Sequence, residues 1–95
     1  MGVYCIHDQL KEYFCNEPHI KIHEPCGYQI IVLIYDMTIS IAAPFGEKYY
    51  EMAILREDGN IDTSYEEWCG YNPVKKVYTY EDIIYEINNI KCMNS

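Results

Sequence analysis

Arginine is nearly missing from this 95-residue chain. Arg56 is the only one, and cations total 7 against 15 carboxylates, a formal net charge of −8. Affinity for nucleic acid comes largely from Lys and Arg releasing counterions from phosphates, so no direct nucleic-acid binding is expected. Long apolar runs are missing too. The longest, "IIVLIY" at 30–35, falls far short of the roughly 20 residues a spanning helix needs, so no membrane segment is expected. The N-terminus lacks the basic-then-apolar layout of a signal peptide. The five cysteines, Cys5, Cys15, Cys26, Cys69 and Cys92, are odd in number and contain no CxxC pair, which points to a reducing, cytoplasmic compartment. Catalytic signatures are absent as well: the chain has no Gly-rich phosphate loop, no GxSxG and no HExxH. Adjacent carboxylates such as Glu57 with Asp58 or Glu66 with Glu67 diverge in a strand or loop. The expectation is a non-enzymatic protein without a cofactor.

What is present is enough to fold. Hydrophobic residues make up 49% of the chain and charged ones 23%, far from the composition of a disordered segment. A chain of this length buries about 60–65% of the surface its unfolded form exposes, which supports one core and a single domain over 1–95.

Periodicity gives the layout. Val3, Ile6, Leu10 and Tyr13 or Phe14 recur at helical spacing, predicting a first helix that ends before Pro18. "HIKIH" at 19–23 alternates, with Ile20 and Ile22 on one face and His19, Lys21 and His23 on the other, as in a half-exposed strand. "YQIIVLIY" at 28–35 is apolar on both faces and reads as a central strand covered by helix on one side and contacted on the other by something large. "TISIAA" at 38–43 completes a hairpin with it. "KYYEMAILR" at 48–56 is a further strand. "EDGN" at 57–60 supplies an Asp-Gly hairpin turn, with Ile61 to Ser64 as the return strand. The segment 65–73 has no period and holds the only Trp, so it reads as a loop before a short strand at Val74 to Tyr78. Thr79 then caps a last helix, with Glu81 and Asp82 in its first turn and Tyr80, Ile83, Ile84, Ile87 and Ile90 as the buried stripe. The expected fold is therefore α+β, an antiparallel sheet of four to six strands with N- and C-terminal helices packed on one face.

Cys15, His19, His23 and Cys26 are the only clustered metal-ligating residues, and a small metal-binding module built on them is one alternative. On a strand, however, the Cα atoms of His19 and His23 lie about 13 Å apart, too far for two imidazoles to share an ion without a bend. Structural zinc sites also show close pairs such as Cys-x2-Cys, which are missing. The expected reading is exposed strand histidines and no metal.

The acidic groups of the second half form the leading candidate site. Glu57, Asp58, Asp62, Glu66, Glu67, Glu81, Asp82 and Glu86 fall within thirty positions, against Arg56, Lys75 and Lys76. Carboxylates spaced over a surface imitate the phosphates of a nucleic acid and steer encounter with a basic groove. Tyr65, Trp68 and Tyr71 would supply the packed anchors. Eleven tyrosines exceed what such a core needs and suit an interface.

In size, acidity, tyrosine content and helix-sheet-helix layout the chain resembles the small phage-encoded inhibitors grouped as anti-CRISPR proteins. "EDGNIDTSYEEW" and "YEDIIYEI" are like the acidic, aromatic surfaces that several of them use. The resemblance is one of type, and it implies an inhibitor that blocks a nucleic-acid-binding defence enzyme in the host cytoplasm by occupying its basic channel. Immunity proteins that neutralise nuclease toxins resemble the chain in the same loose way. Both readings expect a basic protein partner and leave homo-oligomers open.

Overall fold

A computed structural model describes residues 3–65, 68, 70 and 72–93. The α+β fold is as expected. Helix α1 (Tyr4–Tyr13) is followed by strands β1 (Ile20–Ile22), β2 (Gln29–Ile34), β3 (Met37–Ala42), β4 (Tyr50–Leu55) and β5 (Lys75–Val77), and helix α2 (Tyr80–Met93) closes the described chain. The strands form one antiparallel sheet in chain order, β1-β2-β3-β4-β5.

Register follows from the alternation of side chains. Ile30 pairs with Ile41, Val32 with Ile39 and Ile34 with Met37 across β2 and β3. Ile39 then pairs with Ile54 and Ile41 with Met52 across β3 and β4. All of these side chains are buried and stand on one face, because a strand sends alternate residues to opposite sides. Val3, Ile6, Leu10 and Phe14 from the first helical segment and Ile83, Ile87 and Ile90 from α2 join the same cluster. Both helices therefore cover that face. A one-residue slip of any central strand would turn its whole apolar set to solvent, which is why the register is well specified.

The opposite face carries Ile31, Leu33, Thr38 and Leu55, all only part-buried. Ser40 and Ala53 on the same face are buried, with Gly59, Ile61 and Val74 beside them.

Two local motifs match their sequence signals. Thr79 caps α2, its hydroxyl accepting the Asp82 N–H at 3.1 Å, and Glu81 and Asp82 sit in the first turn. In the hairpin after β4, the Asn60 carbonyl accepts the Arg56 N–H at 2.7 Å and the Arg56 carbonyl accepts the Gly59 N–H at 2.9 Å. Gly59 takes φ +87° there, a left-handed conformation that glycine adopts without a Cβ penalty.

One expected strand is not formed. Ile61 to Ser64 contribute only an isolated bridge, Ile61 with Leu55. Beyond it the Asp62 carboxylate accepts the Ser64 N–H at 2.9 Å and the Ser64 hydroxyl at 2.6 Å. That local bonding competes with the ladder and ends it.

Candidate protein-binding surface

Three chain segments meet at one end of the sheet. The β2–β3 connection is only Tyr35 and Asp36, since Ile34 and Met37 are already paired. Tyr35 has φ +54°, an uncommon conformation for a residue with a Cβ. It is held by a 2.9 Å hydrogen bond from its N–H to the His19 carbonyl and by stacking on the His19 ring, centroids 4.5 Å apart. The β4 hairpin arrives beside this turn because Leu55 pairs with Thr38. The result is an open depression of about 540 Å³ with Asp36, Glu57, Asp58, Asp62, Arg56 and Tyr65 in its wall.

The charge of that depression is lopsided and fixed. Arg56 is the only cation among the described residues of its wall, and it is already bonded to Asp58 at 2.9 Å. Asp58 also accepts the Asn60 N–H at 2.9 Å. This backbone bond, and then the guanidinium, hold its carboxyl below the usual carboxylate range. Asp62 is likewise lowered, first by the Ser64 hydroxyl and then by the Ser64 N–H. Hydrogen bonds to the ionised form favour it, so both groups stay anionic well into the acid range.

Of the residues named from sequence, Glu57, Asp58, Asp62 and Tyr65 are brought together here. Glu66, Glu67 and Tyr71 lie outside the described residues. Glu81 and Asp82 lie elsewhere. Tyr50 pairs with Val77, so the start of α2 sits at the opposite end of β4, about 17 Å from the hairpin at 3.4 Å per residue. The second-half carboxylates therefore do not form one continuous surface. Asp82, moreover, accepts the Tyr78 N–H at 3.4 Å beside the helix start.

Two further expectations are corrected by burial. Trp68 is 6% exposed and Glu86 is 7% exposed, so neither is presented to a partner. The Trp68 indole N–H donates to Glu86 Oε1 at 3.3 Å, and Asn89 donates to the same oxygen at 3.1 Å. Lys75 Nζ lies 2.8 Å from Glu86 Oε2, donates to the Trp68 carbonyl at 2.9 Å and sits 5.0 Å from the indole centroid. A buried carboxylate and an aromatic N–H need such partners to offset the loss of water. Trp68 is an anchor, but it anchors its own segment to β5 and α2.

Asp36 is the member that the sequence reading left out. Its signal was present, because a hairpin between two strands of known register must place its turn beside the neighbouring strand ends.

The residues of the metal alternative do not converge. His19 stacks on Tyr35, Cys15 and Cys26 are exposed free thiols, and no grouping of three His, Cys, Asp or Glu side chains suited to a metal occurs among the described residues. No helix among them is long and apolar enough to cross a membrane. No protein-family model, curated protein or solved structure matches the chain.

Proposed function

We propose that the protein is a non-enzymatic inhibitor that binds a basic protein and occupies its nucleic-acid-binding channel, as anti-CRISPR-type proteins do. The observation that carries this reading is the convergence of Asp36, Glu57, Asp58 and Asp62 on one open depression whose single cation among the described residues is already paired. Carboxylates gathered in this way offer a basic groove what phosphates would offer it. They raise the encounter rate through a potential that extends about 8 Å at physiological ionic strength. Tyr65, part-buried at the same depression, gives the contact an aromatic component. The chain's net charge of −8 acts in the same direction over the whole molecule, repelling nucleic acid while attracting the proteins that bind it.

The test is capture from a bacterial lysate on immobilised wild-type protein, beside the variant with Asp36, Glu57, Asp58 and Asp62 all changed to Lys, with bound proteins identified by mass spectrometry. The expected result is a basic nucleic-acid-binding protein that the wild type retains and the variant loses. That captured protein should also be displaced by its own DNA or RNA. Identical capture by the two forms, or a captured partner without a basic surface, contradicts the reading.

A further inference from the structure

The sheet end away from the carboxylate depression carries an unusual share of the exposed aromatic surface. Tyr28 is 60% exposed, Phe45 87% and Tyr78 61%, with Tyr49 half-buried beside them. Single exposed apolar residues are ordinary on protein surfaces, and several gathered at one place are not. These four are arranged in two edge-to-face pairs, Tyr28 with Phe45 at 6.4 Å and Tyr49 with Tyr78 at 6.1 Å between centroids. The pairs are joined by a common floor. A depression of about 440 Å³ at Tyr28 and Phe45 and another of about 310 Å³ at Tyr49 share Glu47 and Lys48 in their walls.

The backbone presents Phe45 deliberately. It stands in the tight turn Pro44–Glu47, closed by a 3.2 Å bond from the Glu47 N–H to the Pro44 carbonyl. Gly46 supplies the positive φ, +78°, that this turn requires. On the other side, the Tyr28 carbonyl accepts the Ala43 N–H at 2.8 Å. Both aromatics are thus carried on hydrogen-bonded backbone, so little ordering is needed when a partner arrives.

Charge decides what kind of partner fits. Glu47 and Lys48 are both exposed in the walls of the two depressions, Glu51 is paired in register with Lys76, and Glu81 and Asp82 are exposed where α2 begins after Tyr78. One ring already holds a cation: the Lys76 ammonium lies 4.6 Å from the Tyr49 centroid. Exposed aromatic faces on a chain of net charge −8 favour a cation that is flat and weakly hydrated, and guanidinium is the side-chain group of that description. A second copy of this chain does not supply it. Two copies each carry a charge of −8, and the one arginine is bonded to Asp58 at the far end.

From this placement we infer that the Tyr28–Phe45 end is a second contact surface, one that takes arginine side chains of the basic partner, about 17 Å from the carboxylate depression. The inference rests on the reading that the partner is basic. It adds which cation the partner contributes and where. The depression steers any basic surface, whereas the aromatic end distinguishes arginine from lysine.

The experiment uses the full chain and two peptides, nona-arginine and nona-lysine, with affinities from fluorescence anisotropy and ring resonances from NMR. Wild-type protein should bind nona-arginine at least threefold more tightly than nona-lysine, with the Tyr28 and Phe45 ring signals shifting on addition of the arginine peptide. The double variant Tyr28→Ala/Phe45→Ala should lose that preference while binding nona-lysine as before. Its melting temperature should stay near wild type, since both side chains are mostly exposed, and the ring shifts decide the matter without the variant. Equal affinity for the two peptides, unshifted rings, no binding of either, or an unchanged arginine preference in the double variant overturns the inference. The fourfold Lys variant at Asp36, Glu57, Asp58 and Asp62 tests the underlying reading separately: it should weaken both peptides alike. If it leaves both unchanged while the aromatic variant loses its preference, the carboxylate reading fails and the arginine contact stands.

Discussion

Replacing Glu86 by Ala should be among the most destabilising single changes to a charged residue in this protein. The substitution removes the acceptor of the Trp68 indole N–H and of Asn89 and the counter-ion of Lys75. Breaking a fully buried ion pair costs about 3–5 kcal/mol because a charge is left without a partner. Lys75 keeps 31% of its side-chain surface exposed and can turn toward water, which reduces this part to about 1–2 kcal/mol. The Trp68 indole, inside a residue only 6% exposed, has no such escape, and an orphaned buried donor adds about 1–3 kcal/mol. The sum, about 2–5 kcal/mol, lowers Tm by roughly 10–25 °C in a domain of this size. Urea unfolding followed by tryptophan emission reads the effect directly, because Trp68 is the only tryptophan and sits within the perturbed network. The double change Lys75→Met/Glu86→Leu should recover much of the loss, since neither charge is then stranded. A Glu86→Ala variant within 0.5 kcal/mol of wild type, or a double variant no better than the single one, would refute the assignment of Trp68, Lys75 and Glu86 to one buried network.

Three further outcomes follow from the same geometry. The folded Asp58 and Asp62 carboxyls titrate below their ordinary value of 3.8, so their stabilisation is complete above that pH and is lost as pH falls beneath it. Carboxyl NMR titration should give midpoints under 3.8 for both, and Asp62→Asn should flatten the acid limb of a stability profile. Tyr50 is pushed up to about 12, by burial first and then by the Cys5 thiol beside it. Its proton therefore favours the folded state up to pH 10 and that contribution disappears as pH rises toward 12, so Tyr50→Phe should flatten the alkaline limb. Among the described residues no disulfide joins Cys5, Cys15, Cys26 or Cys92, so reductant should leave Tm unchanged. A drop of several degrees would reveal a disulfide worth about 2–5 kcal/mol.

The elements that were legible in the sequence are those whose signal is periodic. Ile30, Val32 and Ile34 against Ile39 and Ile41 announce a paired face, and Ile83, Ile87 and Ile90 after a Thr79 cap announce a helix that covers it. What was not legible is spatial. Glu81 and Asp58 are near in sequence, but β5 lies between them and runs antiparallel to β4, so the two carboxylates end on opposite ends of the sheet. Trp68 sits in an aperiodic stretch and looks like a surface anchor until Lys75 and Glu86 are seen to enclose it. Glu86 did carry a signal, since it lies one helical turn from Ile83 and Ile90 on the buried side of α2. Asp62 looks like part of a strand until its side chain is seen to capture Ser64. Phe45 is one apolar residue between Pro and Gly, and only its exposure in a closed turn makes it a surface feature.

The most direct test of the central claim is the association rate constant of the captured basic partner, measured by stopped flow against ionic strength for wild type and for the fourfold Lys variant at Asp36, Glu57, Asp58 and Asp62. Encounter between complementary charges should be fast at low salt and fall steeply as salt screens it, and the variant should be at least tenfold slower with a flattened or inverted salt slope. A variant that associates at the wild-type rate with the same salt slope contradicts the claim that these carboxylates meet the partner.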